Sequence, residues 1–158
     1  MKRWLALALA LALLLPSLAF AGNLQPLAAS DVPALLKPPA HGERIIALWA
    51  LDCAYCEPNL QALATLQRQH PDGIELVLVA TDNIDQRATL QAHLAAMKMD
   101  GYPARAYAET PPDRINFLLD PDWGGETPRV LLIRADGSLQ GISGELTARQ
   151  LTRVWPGT

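Results

Sequence analysis

Apart from Cys53 and Cys56 the sequence contains no cysteine, so no disulfide framework can hold it together and any fold must rest on an apolar core. It has no run of basic residues of the kind that grips nucleic acid, and nucleic acid is not an expected partner. Its three histidines, His41, His70 and His93, are scattered and match no metal-ligand spacing. There is no internal repeat, and no low-complexity tract beyond the first 21 residues. What remains is a chain of 158 residues, half of them apolar, with a formal net charge of -3. That is enough for one domain with a real core and too little for two.

The first 21 residues differ from the rest. Lys2 and Arg3 give a positive start, an apolar stretch runs from Trp4 to Leu15, and Pro16-Ser17 breaks it before Ala19-Phe20-Ala21. The stretch is short for a membrane span, which needs roughly 20 residues. Residues 1–21 are therefore read as a secretory signal peptide cut after Ala21, an uncleaved anchor being the alternative. No cysteine follows the apolar run, so lipid attachment through one is not expected. The plain architecture resembles bacterial export and places the mature protein in the periplasm. Cleavage removes two basic residues, leaving 11 against 16 acidic ones, a net of -5.

The cysteine pair is the chemical signal. A disulfide stabilises most when it closes a long loop, and this one would close almost none. A Cys-x-x-Cys can also be half of a zinc site, but two further ligands would be needed. Redox chemistry is the reading favoured over metal binding and over a purely structural bridge.

Residues 22–42 are rich in proline and alanine (Pro26, Pro33, Pro38, Pro39) and read as an extended lead-in with room for one short helix. From 43 to 158 the pattern is that of one domain. Ile45 to Leu51 is apolar without alternation, as in a strand buried on both faces, and Ile74 to Ala80 is a second such run. Residues 54–70 between them read as a helix with Leu60, Leu63 and Ala64 on one stripe, ended by Pro71, and Pro58 is expected to kink it. Asp82 is a candidate cap for another helix bearing Leu90, Leu94 and Met97, with Gly101 closing it. Residues 101–128 hold five prolines and read as irregular, with one alternating piece at Ile115, Phe117 and Leu119. Asp136-Gly137 marks a hairpin between 129–134 and 138–143. Thr147 and Gln150 form a capping box for a last helix, with Leu146 and Leu151 as its staple and Pro156 as its stop.

The order is thus β-α-β-α-(irregular)-β-β-α, an α/β chain with the cysteine pair where the first strong strand hands over to its helix. This order, the segment Trp49-Ala50-Leu51-Asp52-Cys53-Ala54-Tyr55-Cys56, the pair Thr127-Pro128 before a strand and the Asp136-Gly137 hairpin resemble the thioredoxin fold. Within it they are most similar to the exported TlpA-like thiol–disulfide proteins, over roughly residues 43–156. The resemblance implies a mixed central sheet flanked by helices and a redox-active disulfide between Cys53 and Cys56. Cys53, in the N-cap region, would be the attacking thiolate, favoured by the positive helix end, and Cys56 in the first turn would resolve the mixed disulfide. Pro128 would be cis, leaving the backbone of Thr127 open to pair with a substrate strand. Tyr55 and Trp123 are further candidates for substrate contact, Trp123 being equally readable as packing. Trp49 and Asp52 would support the site. No metal or cofactor is expected. Protein thiols and disulfides would be the substrates, a membrane thiol-electron transporter the donor, and the protein a monomer.

Two positions depart from the relatives. Thioredoxin keeps a buried aspartate where this chain has Ala47, and many TlpA-like reductases keep a glutamate where it has Asn59. Those carboxylates accept a proton from the deeper cysteine, so here that transfer falls to water or another group. The copper carriers of related fold space their cysteines by three residues and add a distant histidine, and this chain has neither feature. Two acidic neighbours, Asp52 and Glu57, disfavour a thiolate and tilt the pair toward reducing rather than oxidising its partners.

Overall fold

The alternation of apolar side chains along three adjacent strands decides the architecture. In β2 (Glu43–Trp49) Ile45, Ala47 and Trp49 enter one core while Ile46 and Leu48 enter another. Likewise β3 (Ile74–Asn83) sends Leu76, Leu78 and Ala80 one way and Val77 and Val79 the other. In β5 (Arg129–Arg134), Val130 and Leu132 are set against Leu131 and Ile133. A strand apolar on both faces must lie inside a sheet covered on both sides. The computed structural model, which describes residues 24–155, has that form: a six-stranded sheet in the order β1 (Leu24–Leu27), β4 (Ala104–Tyr107), β3, β2, β5, β6 (Leu139–Ser143). Strands β1 to β4 are mutually parallel, β5 runs antiparallel to β2, and β6 runs antiparallel to β5.

Helices α2 (Cys56–Gln69), α3 (Arg87–Ala96) and α5 (Ala148–Val154) contribute Leu60, Leu63, Leu90, Leu94 and Val154 to the first core. The one-turn α1 (Val32–Leu35) and α4 (Asp113–Leu119) cover the other face with Val32, Ile115 and Leu119. Among the described residues no helix is long and apolar enough to cross a membrane. The expected signal segment and Pro156 lie outside the described residues.

Several expectations need correction. The lead-in is not merely extended. Leu24–Leu27 forms β1, pairing with β4 (Ala104–Tyr107) along the sheet edge, and Leu24 and Leu27 are fully buried. Residues 101–128 are not irregular throughout, because they supply β4 and α4. Ile115 and Leu119 are buried four residues apart, as a helix face requires, and Phe117 is exposed. The i, i+2 alternation had mimicked a strand. Pro58 is the third residue of α2, where a backbone N–H has no intrahelical acceptor, so the proline breaks no helical bond. Asp82 lies in β3 and caps no helix; Asn83 instead accepts from Asp85 N–H to start a short 3-10 turn before α3. Lys98, at φ 58°, turns the chain after α3, ahead of Gly101. The hairpin and the Thr147–Gln150 box form as expected, with Gly137 at φ 85°.

At the end of the sheet remote from the cysteines, Glu43 is buried. Its Oε1 accepts from Arg134 Nε at 2.9 Å and its Oε2 has no partner. Burial pushes its pKa above the ordinary 4.5, outweighing the pull of Arg134. A carboxyl raised in the folded state contributes stability below its unfolded pKa and loses it as pH climbs through the folded one. In urea denaturation, the unmodified protein should therefore lose stability relative to Glu43→Gln as pH is raised from about 4 to about 7. The opposite slope would mean that the arginine outweighs burial.

Candidate active site

The register between β2 and β5 builds the site. Leu48 pairs with Arg129, so the chain leaving β2 after Trp49 and the residue preceding Arg129 share one end of the sheet. The first emerges as the cysteine loop, the second is Pro128. In that loop Leu51 N–H donates to Asp82 Oδ2 at 2.9 Å, Cys53 N–H to Ala50 O at 3.3 Å and Cys56 N–H to Cys53 O at 3.3 Å. The strand end is thus tied to β3 before the chain turns into α2.

Cys53 and Cys56 form a disulfide, with Cα atoms 5.5 Å apart. Cys56 is the first residue of α2 and is 3 % exposed, whereas Cys53 is half-buried in the turn before the helix. Cys56 stands in the first turn as expected, whereas the N-cap is Tyr55 and Cys53 lies two residues ahead of it. Cys53 still lies in front of the positive helix end, where a thiolate is stabilised. Tyr55 projects between them at 61 % exposure, and Asp52 and Glu57 are exposed on either side.

Trp49 is fully buried, stacked on His93 with ring centroids 5.5 Å apart, and its Nε1 has no partner. Ala47 is buried in the same core. Asn59 is also buried, and its side-chain amide is fully engaged: Oδ1 accepts from Leu146 N–H at 2.8 Å and Nδ2 donates to Gly144 O at 2.9 Å. The amide at the position where the sequence resemblance implied a missing carboxylate is therefore committed to two backbone groups. Among the described residues no three of His, Cys, Asp or Glu gather as a metal site would require.

The opposing segment is held as firmly. The Thr127–Pro128 bond is cis, with Pro128 buried and Thr127 half-exposed. Pro128 O accepts from Gly144 N–H at 2.9 Å. Arg129 pairs with the buried Asp120 and donates to Ser143 Oγ at 2.7 Å, and Ser143 donates to Glu126 Oε1 at 2.6 Å. The Ser143 hydroxyl, helped by Arg129, holds the Glu126 carboxyl below the ordinary carboxylate range. This network explains Gly141, since a Cβ there would lie 2.1 Å from the Arg129 guanidinium. Trp123 is corrected to packing. It is 6 % exposed, lies in the core on the far side of the sheet, and donates Nε1–H to Glu126 O at 2.8 Å. His93, Arg129 and Gly144 carried no legible signal in sequence, and Asp82 read as a helix cap, because each acts through a partner outside its own segment.

Neither a protein-family model nor a curated protein matches the chain. Solved structures do. It is similar to a thiol:disulfide interchange protein of the thioredoxin family from Chlorobium tepidum, at 20 % identity over 77 % of this chain and 80 % of that one, TM-score 0.58. StoA from Bacillus subtilis shares 22 % identity over 74 % and 84 % of the two chains, TM-score 0.55. A DsbF homologue from Corynebacterium diphtheriae shares 15 % over 72 % and 69 %, TM-score 0.58. The likeness shows the fold: the chain has the thioredoxin fold expected from its sequence.

The exposure difference between the cysteines sets their accessibility once the bond is reduced. Limiting iodoacetamide added to the reduced protein should alkylate Cys53 first, read by peptide mass mapping. Preferential labelling of Cys56 would reverse the assignment.

Proposed function

We propose that this chain is a thiol–disulfide oxidoreductase, exported to the periplasm, that reduces disulfides in other proteins. The observation that carries the reading is the pairing of a reachable Cys53 with a buried Cys56 at the head of α2, on the sheet end that also holds Thr127-Pro128. The solved neighbours of like fold include a protein named as a thiol:disulfide interchange protein, which supports the same chemistry.

In this reading the reduced protein attacks with the Cys53 thiolate on one sulfur of a substrate disulfide. A mixed disulfide forms and the other substrate sulfur leaves as a thiolate. The Cys56 thiolate then attacks the Cys53 sulfur, releasing the second substrate thiol and leaving Cys53–Cys56 oxidised. Two electrons have passed to the substrate. A dithiol donor must return them, and in an oxidising compartment a membrane thiol-electron transporter supplies that chemistry. The substrate chain lies along the backbone of Thr127, with Tyr55 beside it, and the protein works as a monomer. The signal segment 1–21 is removed on export, and residues 43–158 form the catalytic domain together with β1 and α1, which pack into the same sheet and core. No cofactor takes part.

Direction follows from the charges around the pair. Asp52 and Glu57 are exposed acids flanking the cysteines, and no histidine lies between them to favour a thiolate. Each exposed charge contributes about 1 kcal/mol or less. Together they favour the disulfide and make the dithiol the better donor. Equilibration with glutathione should give a potential nearer the thioredoxin value of about -270 mV than the about -120 mV of strong periplasmic oxidants. A value above roughly -150 mV would make the protein an oxidase.

A further inference from the structure

Asn59 joins the two halves of the site. It lies three residues after Cys56 on α2, is 3 % exposed, and gives both ends of its amide to the turn after β6. Its Nδ2–H reaches Gly144 O at 2.9 Å, and the Gly144 N–H reaches Pro128 O at 2.9 Å. One residue of backbone therefore stands between the helix that begins with Cys56 and the segment that carries Pro128. Gly144 is at φ 85°, where an L side chain is strained, although a Cβ there would meet nothing within 4 Å. Its glycine serves the direction of its own peptide groups and relieves no crowding.

The chemistry of the side chain matters. Only a group that both donates and accepts can meet a carbonyl and an N–H at one place, and a carboxamide does so without charge. A glutamate or aspartate there would offer lone pairs to Gly144 O, and an aliphatic residue would leave the buried Leu146 N–H without its partner and release Gly144 O.

We infer that Asn59 is a positioning residue for exchange with polypeptide disulfides, a role that rests on the function proposed above. By fixing α2 against the Pro128 segment it sets the gap between the cysteine pair and the Thr127 backbone along which a substrate chain lies. A small disulfide needs only Cys53 and not that gap.

The test compares two substrates of the reduced protein. One is 5,5'-dithiobis(2-nitrobenzoic acid), which cannot pair with backbone, and the other is a peptide carrying an extended segment on each side of its disulfide. Asn59→Ala should raise KM for the peptide about 10-fold, the equivalent of one lost buried hydrogen bond, while kcat and the small-disulfide rate stay within about 2-fold. Gly144→Ala breaks the same link from its other end and should move the peptide KM the same way, carrying the test if Asn59→Ala does not fold. The double variant should be no worse than the poorer single one, as expected for groups acting through one connection. Equal losses on both substrates, or an unchanged peptide KM in both variants, would overturn the positioning role. Unmodified protein inactive on both substrates would overturn the proposed function and this role with it.

Discussion

Everything at the site depends on β2 being paired on both sides, parallel to β3 and antiparallel to β5. The parallel neighbour brings Asp82 to the cysteine loop, and the antiparallel neighbour brings Pro128 to the same end of the sheet. Because side chains alternate, a one-residue slip against either strand would turn Trp49 and Ala47 out of their core and Ile46 and Leu48 into it. Full burial of all four makes such a slip costly, so the core that stabilises the fold also sets the geometry of the loops.

Those loops pack Leu51, Cys53, Trp123 and Leu146 onto the two cores and are also held through captured backbone groups. Asp82 takes Leu51 N–H, Trp123 gives its indole proton to Glu126 O, and Asn59 takes Leu146 N–H while meeting Gly144 O. A reactive loop placed on a rigid scaffold is the usual arrangement for chemistry. Here the cysteine loop and the Pro128 segment are each tied to a different neighbour. The Asp120–Arg129 pair adjoins the second of these, and breaking the pair would leave a buried charge uncompensated at a cost of about 3–5 kcal/mol.

Much of this was legible in the residues. The unalternating runs at 45–51 and 74–80 announced doubly covered strands, and Asp136-Gly137 and Thr147-x-x-Gln150 announced their turn and cap by local chemistry alone. What failed was whatever depended on distant partners. Leu24 and Leu27 look like part of a proline-rich tail until Ala104–Tyr107 is seen to offer a sheet edge. Ile115, Phe117 and Leu119 fit two periods, and burial chose the helical one. Trp123 could have faced a groove or a core, a choice made by the packing on the far side of the sheet. Asn59 read as the absence of a carboxylate, yet the structure shows a bond made at each end of its amide. An absent residue type says nothing about the task of the one that replaces it.

In the proposed reaction Cys53 attacks and Cys56 resolves, the two being separated by a difference in burial at the head of one helix. The most direct measurement compares Cys56→Ser with Cys53→Ser, each incubated as the reduced protein with an oxidised protein substrate and analysed by non-reducing gel and mass spectrometry. The account predicts a long-lived mixed disulfide through Cys53 in Cys56→Ser and almost none in Cys53→Ser. Equal trapping by both variants, or stronger trapping through Cys56, would contradict it.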